Sequence, residues 1–241
     1  MNPYSIMCLP IFAPIAFWAW YHYYKDRHLP EPVGYLALAF LLGMGSSYLA
    51  GWMYQSLDWF GLRRDALLLA ETSRLGLLVY AVSTIGVIEE LAKLLPFVLI
   101  VVRLPAFNEP VDGIIYGSVI ALGFAAVENV QYVQFMTLPE AIARGFAGPV
   151  VHMVFASIWG YYIGRALLCG RTLWRVVPAS LGFTALVHGI YDFVVIAYED
   201  ILLPVAAFLI LVLWLWRLAL IRDLHLEPPG RCPSDPGAAE S

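Results

Sequence analysis

Residues 111–133, VDGIIYGSVIALGFAAVENVQYV, form an apolar stretch long enough to cross a lipid bilayer as one helix. Small residues recur at every fourth position and share one helical face: Gly113, Gly117, Ala121 and Ala125. Such a stripe lets a second helix approach closely. Asn129 continues the stripe and Glu128 lies beside it. We therefore expect both side chains to face protein rather than lipid.

The composition of the whole chain agrees with a membrane protein. The chain has 241 residues, of which 61% are hydrophobic and 13% charged, and its mean hydropathy is +0.75. Soluble domains contain about 25% charged residues. The net charge of −4 gives no basic surface for phosphate backbones. These values exclude a soluble enzyme, a disordered protein and a nucleic-acid binder, and they indicate a polytopic membrane protein.

The pattern of apolar stretches predicts an all-α bundle of about seven transmembrane helices. The predicted spans are 4–24, 33–56, 75–102, 111–134, 147–168, 176–198 and 201–221. We also expect an interfacial helix over 66–74 and a short, lid-like helix over 135–146. Residues 1–222 would form one integral membrane domain, and the Pro- and Gly-rich segment 223–241 a disordered cytoplasmic tail.

The distribution of basic residues predicts the orientation in the cell membrane. Nine Lys and Arg residues fall on one side of the predicted spans: Lys25, Arg27, Arg103, Arg165, Arg171, Arg175, Arg217, Arg222 and Arg231. Four fall on the other side: Arg63, Arg64, Arg74 and Arg144. The richer side is expected to be cytoplasmic. This places the N-terminus outside the cell and the C-terminus in the cytoplasm.

Ionisable residues interrupt the third to the sixth spans. A charge at the bilayer centre costs about 3 kcal/mol, so such residues are functional candidates. They are Glu89, Glu90, Lys93, Glu128, His152, His188 and Asp192. The spacing predicts that Lys93 pairs with Glu89, four residues earlier, while Glu90 points about 100° away. These four spans, about residues 75–198, form the predicted catalytic core.

The same residues are predicted to meet in one layer of the membrane. His152 heads a second small-residue stripe that continues through Ala156, Gly160 and Gly164. His188 and Asp192, four residues apart, share a face of the sixth span. Counted along the helices at about 1.5 Å per residue, the acids and imidazoles converge between the midplane and the outer leaflet.

Two imidazoles and several carboxylates are the parts of a zinc site. Zinc binds imidazole nitrogen and carboxylate oxygen, and a catalytic site keeps one position for water. The predicted ligands are Glu128, His152 and His188, which leaves Glu89 or Glu90 as the general base. The chain contains no HExxH motif, so a zincin-type site on one helix is excluded, and it contains no GxSxG motif.

Four motifs in order resemble the PrsW family of intramembrane proteases, which is grouped with the type II CAAX-processing proteases and the bacteriocin-immunity proteins. The motifs are EExxK at Glu89, Glu90 and Lys93, FxxxEN at Phe124, Glu128 and Asn129, His152 within GPVVHMVFASIWGYYIG, and HxxxD at His188 and Asp192. The resemblance covers about residues 80–195. In the CAAX branch, a His stands where this chain has Glu128.

The resemblance implies that the two glutamates are essential and that one of them activates water. It also implies metal or water binding by Glu128, His152 and His188, and cleavage of a membrane-anchored partner such as an anti-sigma factor from the extracytoplasmic side. From the resemblance and the residue pattern together, we expect Glu89 to be the general base. Glu90 is expected to be a second carboxylate that either orients its neighbours or binds the metal as an alternative ligand. Asn129 and Asp192 are expected to have supporting roles: between them they would orient the imidazole of His188 and the carbonyl group or oxyanion of the substrate.

Two other functions use the same residues. A proton-linked transporter or channel could use Glu89, Glu90 and Asp192 as ion sites, although the chain shows no inverted repeat. A non-catalytic scaffold could grip a partner helix with the small-residue stripes.

Overall fold

The computed structural model describes residues 12, 15–20, 31–198 and 203–226. These residues contain helices and no strand, so the predicted all-α fold is confirmed for this part of the chain. Residues 12 and 15–20, within the first predicted span, are helical; the rest of that span lies outside the described residues.

Eight α-helices make up the described part from residue 31 onward. They are α1 (Val33–Trp59), α2 (Ala66–Thr72), α3 (Arg74–Tyr80), α4 (Val87–Leu99), α5 (Pro110–Tyr132), α6 (Leu138–Leu168), α7 (Leu173–Ala197) and α8 (Leu203–Leu226). A π-helical segment, Ala81–Gly86, joins α3 to α4, and short 3₁₀ turns follow α4 and α5 at Val101–Arg103 and Val133–Phe135.

Four of the described helical segments are long and apolar enough to cross a membrane: Val33–Trp59, Pro110–Phe135, Leu138–Leu168 and Leu173–Ala197. The second of these is the centre of the bundle. In its most apolar 18-residue stretch 94% of the residues are buried, whereas the value is 28% for the first and the fourth helix. The chain is therefore an integral membrane protein, while the total of seven spans stays a prediction.

The predicted third span is one helical rod with a π-helical interior. The helix runs from Arg74 to Leu99 through α3, the π segment and α4. Extra-residue turns of this kind occur often at functional sites, because they rotate the side chains that follow. Here the π segment ends at Gly86, three residues before Glu89.

Small residues bring the helices into backbone contact, as the stripes predict. A Cβ atom on Gly113 would lie 2.1 Å from the carbonyl oxygen of Gly160, and one on Gly160 would lie 2.2 Å from that of Gly113. A Cβ on Gly123 would lie 2.0 Å from the carbonyl oxygen of Phe40 in α1. The close approach of a second helix to each stripe is thus confirmed, and the structure shows that the stripes of α5 and α6 contact each other. Helix α1 approaches α5 closely in the same way.

Gly160→Leu is expected to destabilise the protein by about 1–3 kcal/mol, because the added atoms overlap the α5 backbone and cannot be repacked. Thermal unfolding in detergent micelles measures the effect. Gly182→Leu is the matched control, since Gly182 is exposed and nothing lies within 4 Å of an added Cβ. Equal unfolding temperatures for the two variants would contradict the backbone contact.

The predicted short helix over 135–146 is wrong. These residues belong to the 3₁₀ turn that ends at Phe135 and to the first turns of α6, which continues unbroken through Pro149. The start of α6 is fixed by a capping box in which Glu140 Oε2 accepts from the backbone N–H of Thr137 at 2.7 Å. Arg144 then ties this extension to α5 through an ion pair with Glu128.

Helix α2 agrees with the helix predicted over 66–74, and it ends at Thr72 before Ser73 caps α3. At the other end of the chain, α8 continues to Leu226, four residues beyond the predicted end of the membrane domain. The remainder of the predicted tail lies outside the described residues.

Arg217 is not a loop residue on the cytoplasmic side. It lies on α8 with 1% of its surface exposed. Its Nε donates to Ser157 Oγ at 2.7 Å and its Nη2 to Ser118 Oγ at 3.0 Å. Ser118 and Ser157 belong to α5 and α6, so this arginine fastens α8 to the central pair of helices.

Candidate active site

The ionisable residues of α4, α5, α6 and α7 come together in one buried cluster. Close backbone contact between the π segment and α7 brings two of these helices together. A Cβ on Gly86 would lie 2.3 Å from the carbonyl oxygen of Ala185, and one on Gly189 would lie 2.4 Å from the Cα of Val82. This contact places the start of α4 beside His188.

Glu90 is the most highly connected residue of the cluster. Its side chain is fully buried. Oε1 accepts from Lys93 Nζ at 2.6 Å and from His188 Nδ1 at 2.8 Å, and Oε2 accepts from Trp159 Nε1 at 2.9 Å. Both carboxylate oxygens therefore have partners, which suits a residue that positions its neighbours rather than one that exchanges protons.

His188 is oriented by its contact with Glu90. Because Glu90 accepts from Nδ1–H, the neutral ring carries its lone pair on Nε2. Nε2 faces Asp192 Oδ2 at 3.4 Å and Glu89 Oε2 at 3.7 Å. A nitrogen lone pair between two carboxylates needs a cation there, which is either a proton on the ring or a metal ion. A carboxylate behind a metal-binding imidazole is a common arrangement in zinc sites.

His152 lies on the other side of the cluster and contacts two charged residues. Its Nε2 is 2.7 Å from Glu128 Oε2, and its Nδ1 is 3.0 Å from Lys93 Nζ. Glu128 Oε1 in turn pairs with Arg144 Nη2 at 2.9 Å. The rings of His152 and His188 are 5.5 Å apart, centre to centre.

Glu89 has the carboxylate oxygen with the fewest contacts. Oε1 accepts from the hydroxyl of Tyr54 on α1 at 3.3 Å, whereas the buried Oε2 has no hydrogen-bond partner. Donor atoms of Glu89, His152 and His188 all lie within 4.8 Å of one another, so this buried group can hold a metal ion. The donor types and the unpartnered oxygen both fit a divalent cation.

The predicted pairing of Lys93 with Glu89 is wrong. Lys93 Nζ pairs with Glu90 Oε1 at 2.6 Å, three residues earlier, and also reaches His152. Spacings of three and of four residues both lie on one helical face. The choice was decided by Trp159 and His188, which converge on Glu90 from α6 and α7.

Asn129 is buried next to Glu128, with 3% of its surface exposed. Neither its Oδ1 nor its Nδ2 has a hydrogen-bond partner. It lines a narrow cleft together with Arg144, Val133, Met136 and Ala141.

Sequence reasoning missed three participants: Tyr54, Arg144 and Trp159. Tyr54 and Trp159 are ordinary members of a chain with 14 tyrosines and 8 tryptophans. Arg144 was assigned to a connecting segment. That segment carries one acid, Glu140, and one base, Arg144, so its charge gave no signal.

A buried group of carboxylates and imidazoles inside a bundle of apolar helices is typical of the functional site of a polytopic membrane protein. Over residues 31–217 the chain matches the family described as PrsW family intramembrane metalloprotease. The chain therefore belongs to the PrsW family of intramembrane proteases.

Proteins named Protease PrsW are among its relatives. The protein from Oceanobacillus iheyensis is 32% identical over 57% of this chain and 63% of its own length. Those from Bacillus subtilis and Clostridioides difficile are 27% and 29% identical, over 80% and 81% of this chain and 84% and 81% of their own lengths. No solved structure matches the chain.

Proposed function

We propose that this protein is a metal-dependent intramembrane endopeptidase that cleaves a membrane-anchored protein near the extracytoplasmic surface. The observation that carries the proposal is the unpartnered Oε2 of Glu89, which lies in one buried group with two imidazoles. Names of relatives in the PrsW family support peptide-bond hydrolysis as the reaction.

His152 and His188 are the proposed nitrogen donors for the ion. Glu128 is the proposed carboxylate donor, which requires the ion to replace the contact between its Oε2 and His152 Nε2, whereas Glu89, in the same buried group, is proposed to face the ion's water rather than the ion. Zinc suits this donor set. When bound, such an ion lowers the pKa of water to about 7 and polarises a carbonyl group.

Glu89 is the proposed general base. It is the one acid of the EE pair with a free oxygen, so it accepts a proton from water without losing an existing hydrogen bond. The same carboxyl then gives the proton to the amine that leaves. Tyr54 holds the other oxygen and thereby fixes the direction of the free one.

Glu90, Asp192 and Asn129 have supporting roles in this proposal. Glu90 keeps the proton of His188 on Nδ1, and Asp192 limits the rotation of that ring from the opposite side. The amide of Asn129 is available to the substrate carbonyl. Since Glu128 lies toward the end of α5, the predicted orientation would open the cluster to the extracytoplasmic side, where an anti-sigma-like substrate carries its exposed segment.

Metal content is the decisive measurement. We expect about one zinc per chain in detergent-purified protein, by the stoichiometry of such sites, and none in the His152→Ala/His188→Ala variant. Elemental analysis after gel filtration measures both. His28→Ala, which removes a histidine outside the four sequence motifs, serves as the control and should keep its metal.

Further single variants separate ligand from base. Glu128→Gln should lose the ion, whereas Glu89→Gln should keep it. Loss of zinc from Glu89→Gln alone would make Glu89 a ligand. No divalent metal in the parent protein, even after reconstitution, would contradict a metalloprotease.

A further inference from the structure

An open groove lies where the chain passes from α1 through α2 into α3, outside the candidate active site. Its volume is about 500 Å³, within the range of about 300–1,000 Å³ that is usual for ligand sites. The lining residues that matter here are Leu62, Arg64, Leu69, Ser73, Leu75 and Val79. Four of these six are apolar, and Leu62, Leu75 and Val79 are each more than half exposed. The groove therefore offers an apolar wall to a ligand from the bilayer.

The groove begins at the level of the lipid headgroups. Helix α1 is long and apolar enough to span the membrane, and it ends at Trp59. Trp59 and Phe60 are 74% and 73% exposed, and exposed aromatic residues at the end of a span are typical of the membrane–water interface. Leu67 and Leu68 of the short helix α2 are exposed as well, which fits a helix that lies on the bilayer surface.

From this level the groove follows α3 and the π segment into the hydrocarbon region. Gly76, Val79 and Ser83, at spacings of three and four residues, line it along one helical face. From Ser73 to Ser83 the helix rises by about 15 Å. Half of the hydrocarbon core of a bilayer is also about 15 Å thick. The length of the groove thus matches one acyl chain in a single leaflet.

Arg64 is the charged residue of the groove, and its guanidinium is available to a ligand. The other two arginines at this end of the bundle are engaged. Arg63 pairs with Asp58 at 2.9 Å, and Cζ of Arg74 lies 4.2 Å from the ring centre of Tyr198. Within the part of the chain that the structure describes, the guanidinium of Arg64 makes no ion pair.

The polar groups of the groove favour a headgroup with a net negative charge. A guanidinium binds phosphate through two charge-assisted hydrogen bonds. Ser73 Oγ accepts from a backbone N–H and still has its own O–H to donate. Among the described residues, no acid lines the groove, and the nearby Asp65 caps α2 by accepting from the backbone N–H groups of Leu67 and Leu68. A choline or ethanolamine group would therefore find no anion here.

We propose that this groove binds an anionic phospholipid of the bilayer, with its phosphate on Arg64 and one acyl chain along Leu75 and Val79. The hydroxyl of Tyr80 accepts from the backbone N–H of Arg64 at 3.3 Å and so holds the loop against α3. The inference does not depend on the proposed protease function, since the groove shares no lining residue with the group that can hold a metal ion.

Native mass spectrometry of the full chain in a neutral detergent gives dissociation constants for added lipids. Phosphatidylglycerol is the anionic probe, and phosphatidylcholine with the same acyl chains is the zwitterionic one. Glycerol phosphate supplies the phosphate without the chains. We expect phosphatidylglycerol to bind about tenfold more tightly than phosphatidylcholine, the size of one charge-assisted hydrogen bond, and glycerol phosphate to show no binding.

Two pairs of variants test the headgroup and the chain separately. Arg64→Gln should reduce the affinity for phosphatidylglycerol to that for phosphatidylcholine. Arg63→Gln is the matched control, since it removes the same charge next to the groove and should keep the preference. Val79→Trp should weaken both lipids about tenfold, because the indole displaces about two methylene groups of the chain. Leu41→Trp, exposed on α1 outside the groove, is its control and should change neither constant.

Unfolding temperatures in the same detergent should stay at the parental value, because Arg64 and Val79 are both exposed. The proposal is overturned if Arg64→Gln keeps the preference for phosphatidylglycerol. It is also overturned if Arg63→Gln loses that preference equally, since charge in general would then attract the lipid. Glycerol phosphate that competes as well as the lipid would make Arg64 a site for free phosphate. A dimer in the mass spectra that Val79→Trp dissociates would make a second copy of this chain the occupant, which also overturns the proposal.

Discussion

Glu89→Gln is expected to lower the turnover of a membrane-anchored peptide by about 10²- to 10⁴-fold, the usual contribution of a general base. The amide keeps the size of the side chain and can still accept from Tyr54, but it cannot take a proton from water. We expect KM to change little, because no contact to the substrate is assigned to Glu89. Steady-state cleavage of a fluorogenic single-span peptide in micelles gives kcat and KM.

The matched control is Glu71→Gln on the exposed surface of α2, which removes the same charge outside the buried cluster and should keep full activity. Unfolding temperatures of both variants should stay close to that of the parent. A Glu89→Gln protein that retains parental turnover would exclude Glu89 as the base and leave the transporter and scaffold hypotheses in place.

The sequence was sufficient to predict close helix contacts along the small-residue stripes of α5 and α6 and the convergence of polar residues from several helices. Both follow from periodicity: small residues every fourth position mark a helical contact, and an ionisable residue within an apolar span must face protein. Gly113 and Gly160 meet as that pattern requires.

Details that depend on two helices at once were beyond the reach of periodicity. Lys93 lies on the same face as Glu89 and Glu90, and the indole of Trp159 helps to make Glu90 its partner. The ion pair between Arg144 and Glu128, sixteen residues apart, also joins two helices. No local pattern announces either contact. The start of α6, by contrast, carries a local signal that was not used, the capping box of Thr137 and Glu140.

The largest expected effect on stability is that of Glu90→Gln. Lys93 and Glu90 are both fully buried, so removing one charge leaves the other without compensation. Breaking a buried pair in this way costs about 3–5 kcal/mol. Thermal unfolding in micelles should show a large drop, whereas Asp58→Asn, which breaks the exposed ion pair with Arg63, should cost about 1 kcal/mol or less.

The double variant Glu90→Gln/Lys93→Met distinguishes stability from positioning. Removing both charges should restore most of the lost stability, because a buried pair replaced by uncharged groups is often neutral overall. Cleavage should nevertheless stay low, since a neutral amide no longer holds the proton of His188 on Nδ1 as a carboxylate does. Recovery of both stability and turnover would show that Glu90 only compensates Lys93, and its role in orienting His188 would then have to be abandoned.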